Sequence, residues 1–180
     1  MNLNLENGAI ILSIIRKLNE KGSWCGETHI QKSMYFIEKL FPELADYEFI
    51  LYKYGPFSFE VRDDIGILLS DNFLELNPSS KDGPRLSNGK NSRLLEEFFK
   101  DKIKENNEKI SFVVDALATK KVTELEALAS ALYVDTKKPS AKLEEKIQKL
   151  QKLKPHIKEK QAEDAFKQLE IIKKEKEEIK

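Results

Sequence analysis

Three features of the sequence predict a mainly α protein with a small β element: a winged-helix-like α+β N-terminal domain followed by a helical C-terminal extension. Apolar residues recur at three- and four-residue spacing through most of the chain, the signature of amphipathic helices. One β-forming run, "YEFILYKY", stands among them and ends in Gly55-Pro56. A turn-rich polar loop, "NPSSKDG", joins two short predicted strands, Phe73 to Leu76 and Pro84 to Leu86, as in a hairpin wing.

The first helix is read from "NGAIILSIIRKLNEKG", where Ile11, Ile14, Ile15 and Leu18 share a face and Gly22 stops the helix. A second begins at Glu27 or Thr28, carries Ile30, Met34, Ile37 and Phe41, and is closed by Pro42. The β-forming run then passes through "KYGPFS", read as a strand-to-helix turn. Gly55 supplies a positive φ there, and Pro56 pushes the preceding residue away from helical geometry. Ser58 caps the next helix, which buries Val61, Ile65 and Leu68 or Leu69.

Beyond the wing, Leu95, Phe98, Phe99 and Ile103 are placed on one face of a following helix. Thr123 and Glu126 match a capping box for a helix burying Leu125, Leu128 and Leu132. A further helix presents Leu143, Ile147, Leu150 and Leu153 and stops at Pro155. The last presents Ala162, Ala165, Phe166 and Leu169, then is expected to become a solvated end from Lys173. The domain boundary is set at 110: residues 1–110 form the winged-helix-like domain and 111–180 the extension.

Lys and Arg together number 31, as do Asp and Glu, so no net field steers the whole chain toward a polyanion. The balance is uneven: Lys137 to Lys180 holds 14 lysines against nine carboxylates. The single cysteine, Cys25, excludes an internal disulfide, and no apolar run reaches membrane-spanning length. A cytoplasmic protein without a membrane partner is expected. Enzyme signatures are missing. His29 and His156 have no ligand spacing, Cys25 reads as a small buried hydrophobe, Asp63 and Asp64 read as solvated or capping charges, and the glycines form no phosphate loop. No cofactor or metal is expected.

Two motifs carry a resemblance. "IQKSMYF" on the second helix, with Gln31 and Lys32, precedes Tyr54-Gly55-Pro56 at the turn into a helix. Together they resemble the Panacea domain family, which includes SocA-type antitoxins and phage-associated relatives. Ser33 stands where the family usually has an apolar residue. The resemblance spans roughly residues 8 to 76 and implies a non-enzymatic role: binding and neutralising a protein partner, a toxin encoded nearby. The expected partner surface is aromatic, formed by Tyr52, Tyr54, Phe57 and Phe59.

The alternative is a winged-helix transcriptional regulator. It would read DNA with Arg62 and hold phosphates with Lys81, Arg85, Lys90 and Arg93. Glu60, Asp63, Asp64 and Asp71 on or beside the same recognition helix oppose a polyanion.

Overall fold

The computed structural model describes residues 4–78 and 83–179. It is mainly helical, with two small two-stranded antiparallel sheets. In chain order the elements are α1 (Leu5–Glu20), α2 (Glu27–Leu40), β1 (Ile50–Tyr52), β2 (Gly55–Phe57), α3 (Phe59–Ser70), β3 (Leu74–Asn77) and β4 (Arg85–Asn88). These are followed by α4 (Ser92–Phe98), α5 (Lys100–Glu105), α6 (Asn107–Leu117), α7 (Val122–Lys137), α8 (Leu143–Leu153) and α9 (Glu159–Lys176).

They divide into two compact units. One takes the chain up to Phe49 together with Ser58–Thr119, and the other takes Ile50–Phe57 together with the chain from Lys120. The sequence-based boundary at 110 falls inside α6. That helix packs on α1 and α2 through Ile110, Val113, Val114 and Leu117, and so belongs with them. The β1–β2 hairpin interrupts the first unit in sequence but belongs to the second, because β2 packs on α7.

The first unit is built around α1. Its run from Ala9 to Ile15 is buried throughout, so the middle of the helix is enclosed on all sides, while its ends keep a polar face, exposed or half-buried, at Glu6, Arg16, Lys17 and Glu20. It touches α2, α3, α4, α5, α6 and β4. Asn4 caps its start by accepting from the Glu6 and Asn7 N–H groups. A Schellman closure ends it: the Ser23 N–H donates to Leu18 O and the Gly22 N–H to Asn19 O, with Gly22 at φ 71°. α2 buries Ile30, Met34 and Ile37 as predicted, and with them Gln31, Lys32 and Ser33. α3 starts at the Ser58 cap, whose Oγ accepts from the Val61 N–H at 3.3 Å. The β3–β4 hairpin follows it in the order of a winged helix, with Leu74 opposite Asn88 and Asn77 opposite Arg85.

The helix expected after the wing is instead three short ones. The chain bends at Phe99 and Asn106, and the Asn106 side chain donates to Lys102 O at 3.0 Å, competing with the helical ladder. Leu95 is buried and Phe99 and Ile103 half-buried, but the bend leaves Phe98 80% exposed.

The second unit packs α7 against α8 and α9. Ala127, Ala129 and Ala131 on α7 and Ala162 and Ala165 on α9 are all buried, and small side chains allow a close helix approach. Leu125, Leu128, Leu132, Phe166 and Leu169 fill the space between. The predicted Thr123–Glu126 capping box is corrected: α7 starts two residues earlier, where Glu124 accepts from the Lys121 N–H at 2.7 Å, and the lysine side chain, a donor only, makes no reciprocal bond. α9 continues to Lys176, and from Lys173 on its residues are mostly exposed, the expected solvated end, although Lys173 Nζ also reaches Asp135 at 2.7 Å.

Candidate interaction site

The segment Tyr52-Lys53-Tyr54-Gly55 closes a hairpin, so the predicted strand-to-helix turn is corrected. Gly55 and Pro56 are part of a returning strand, with Tyr52 opposite Gly55 and Leu51 opposite Pro56. Within the turn Gly55 alone has a positive φ, 87°, a conformation that favours glycine. Pro56 lies in a two-stranded sheet, where an edge position tolerates a missing N–H. Gly55 and Pro56 are buried, Phe57 is half-buried, and the Tyr52 ring tilts against Phe57 at 5.6 Å. Both tyrosines nevertheless stay open to solvent: Tyr52 is 53% and Tyr54 56% exposed.

A buried lysine holds the turn from beneath. α8 must end before Pro155, and its capping residue Lys154 turns inward there. Lys154 Nζ donates to Tyr52 O at 2.5 Å and to Lys53 O at 2.6 Å. Its charge is met by Glu126, 3.5 Å away and also buried; the same Glu126 Oε1 lies 3.0 Å from His156 Nε2. A buried cation between two carbonyls and a carboxylate is fully committed, which fixes the backbone carrying the tyrosines.

Gln31 has a comparable task in the first unit. Its Oε1 accepts from the Ser58 N–H and its Nε2 donates to Ser58 O, both at 3.0 Å. The amide thus pairs with both backbone groups of the α3 cap. Lys32 and Ser33 are buried in the same helix.

Of the expected aromatic surface, Tyr52, Tyr54 and Phe57 share the hairpin. Phe59 lies in the first unit, exposed, with the Arg62 guanidinium 5.0 Å from its ring centre. The basic residues considered for DNA are spread and partly engaged. Arg62 donates to its neighbour Asp63 at 2.6 and 2.8 Å, and Arg85 Nε to Asn19 Oδ1 at 2.7 Å. Lys90 and Arg93 are exposed, and Lys81 lies outside the described residues.

Asp64 is not a solvated charge. It is buried and accepts from the Tyr47 hydroxyl at 2.6 Å. Burial pushes its carboxyl above the usual range although the Tyr47 hydrogen bond pulls the other way, and burial with Asp64 alongside pushes the Tyr47 hydroxyl up. Cys25 is buried at φ 49°, and burial pushes its thiol up to about 12, leaving no thiolate at neutral pH. His29 is buried as well. Among the described residues no cluster of three or more His, Cys, Asp or Glu is placed to hold a metal ion, and no helix is long and apolar enough to cross a membrane.

Sequence reasoning missed the Lys154–Glu126 pair. A signal was present: Glu126 interrupts the apolar face of "LEALASAL" beside Leu125, and a carboxylate on a buried face needs a buried cation. Lys154, at the end of a lysine-rich helix, reads as solvated.

Comparison with protein-family models and with curated proteins finds no match to the chain.

Proposed function

We propose that the chain is a non-enzymatic, antitoxin-like regulator acting in the cytoplasm, which controls a partner protein by direct binding through the Tyr52–Tyr54 hairpin. One observation carries this reading: two more than half-exposed tyrosines stand on a turn whose backbone is clamped by a buried lysine. Exposed aromatics on a loose loop would lose their ordering entropy on binding. On a fixed turn most of that cost is already met in folding. Tyrosine is among the residues that dominate interface energetics, because its ring offers large apolar area and its hydroxyl a hydrogen bond. The Gln31-Lys32 and Tyr54-Gly55-Pro56 resemblance to the Panacea family supports the same reading, with a toxin encoded nearby as the partner.

The test is co-expression with the product of the adjacent gene. A toxic neighbour should lose its toxicity and co-purify with the parent chain but not with a Tyr52→Ser, Tyr54→Ser variant of unchanged melting temperature. A toxic neighbour indifferent to the parent chain would refute the antitoxin-like role.

A further inference from the structure

A second surface, in the first unit, has the marks of a docking site. α4 carries Leu94 and Phe98 four residues apart, on one helical face, and they are 69% and 80% exposed. The Phe98 ring rests edge-on against half-buried Phe99 at 4.9 Å, which holds it outward. Side chains of this size and exposure, paired on one face, are unusual without a partner. Next to them, sharing Glu96, runs a groove of about 420 Å³ along α1 and α4–α6. Arg16, Lys17, Lys100 and Lys104 line it, against Glu20 and Glu96. Glu96 is already taken by Arg16 and by Asn88 Nδ2 at 3.1 Å. Lys17 and Lys104 form no ion pair among the described residues. Lys100 is held by Glu97 at 2.5 Å, which leaves Lys17 and Lys104 against Glu20, so the groove is net positive, although the chain up to residue 136 carries five more carboxylates than cations.

We infer that this surface receives an amphipathic helix of a protein partner, with an apolar stripe on Leu94 and Phe98 and acidic residues facing Lys17 and Lys104. Charge complementarity selects the occupant. A membrane is disfavoured: α4 has seven residues and carries only Arg93 against Glu96 and Glu97 beside its apolar pair, without the length or the basic face of an interfacial helix. A second copy is disfavoured by size. Two seven-residue α4 faces meeting would bury well under the roughly 1,000 Å² that a stable interface needs. A helix laid along the groove contacts both the apolar pair and the lysines, the familiar helix-in-groove mode.

The test uses a labelled set of amphipathic peptides of about 16 residues, long enough for four turns, each with the same leucine stripe and with glutamate, lysine or serine flanks. The glutamate peptides should bind the full-length chain at least about tenfold more tightly than the lysine ones. Leu94→Ser with Phe98→Ser should abolish binding, and Lys17→Glu with Lys104→Glu should reverse the charge preference. Both positions in the first pair are exposed, so a circular-dichroism melt should be unchanged. Equal binding across the set, or none at millimolar peptide, would overturn the inference. So would a dimer in sedimentation, or co-sedimentation with phosphatidylserine vesicles, that Leu94→Ser with Phe98→Ser removes, since either assigns the apolar pair to a different occupant.

Discussion

Gly55 stands at φ 87° in a buried strand end, a conformation that any Cβ strains. Gly55→Ala should destabilise the chain by about 1–2 kcal/mol, read as a shift in the urea midpoint; an unchanged midpoint would remove the backbone constraint from the explanation of the motif. Tyr54→Phe is the control, because its exposed ring loses nothing from the core, and it should melt like the parent. Lys154 makes the stronger case. Lys154→Met leaves Glu126 buried without its lysine and two carbonyls without their donor. Breaking one side of such a pair costs about 3–5 kcal/mol. Adding Glu126→Leu to Lys154→Met should recover part of that loss, since both charges are then gone. If the double variant is no more stable than Lys154→Met, the two side chains do not act as a pair.

At the scale of the element, the start of α3 is fixed from two sides. Ser58 Oγ accepts from the Val61 N–H, and the Gln31 amide holds the Ser58 backbone. Ser58→Ala should cost about 1 kcal/mol as a lost cap. Gln31→Leu should cost about 1–3 kcal/mol because it leaves a buried N–H and C=O unpaired. Chemical denaturation of the two variants ranks them, and a Gln31→Leu loss smaller than that of Ser58→Ala would contradict the pairing. The cap was legible in the sequence because a serine before a helical pattern acts locally, and Gly22 and the β3–β4 wing were legible for the same reason. The bends at Phe99 and Asn106 were not. The segment keeps a helical period throughout, and Asn106, whose side chain donates to Lys102 O at the second bend, is only a mild helix breaker by type. The position of β1–β2 was illegible too: "KYGPFS" shows a tight turn, but its packing on α7 depends on residues some 70 positions later.

At the scale of the whole molecule, two buried carboxylates give opposite pH dependences, one in each unit. Burial raises the Asp135 carboxyl, but the hydrogen bonds and charges of Lys146 and Lys173 outweigh it and hold it below the usual value. Its contribution is therefore present above the unfolded value near 3.9 and lost as pH falls through the folded one. Asp64 is raised, so its contribution is present below about 3.9 and lost as pH rises through its folded value. Urea melts from acid to neutral pH should show Asp135→Asn losing stability mainly at neutral pH, and Asp64→Asn gaining relative to the parent as pH rises. Matching profiles for the two variants would contradict both assignments. The Glu126 signal lay in the sequence, but its partner did not, since a lysine's burial is decided only when the hairpin closes over it. The claim on which function rests is that the clamped hairpin presents Tyr52 and Tyr54 for recognition. Isothermal titration of the adjacent gene's product into the parent chain and into the Tyr52→Ser, Tyr54→Ser variant tests it most directly. The predicted result is a saturable heat for the parent and at least about a tenfold weaker association for a variant that melts normally; equal affinity for both chains would contradict it.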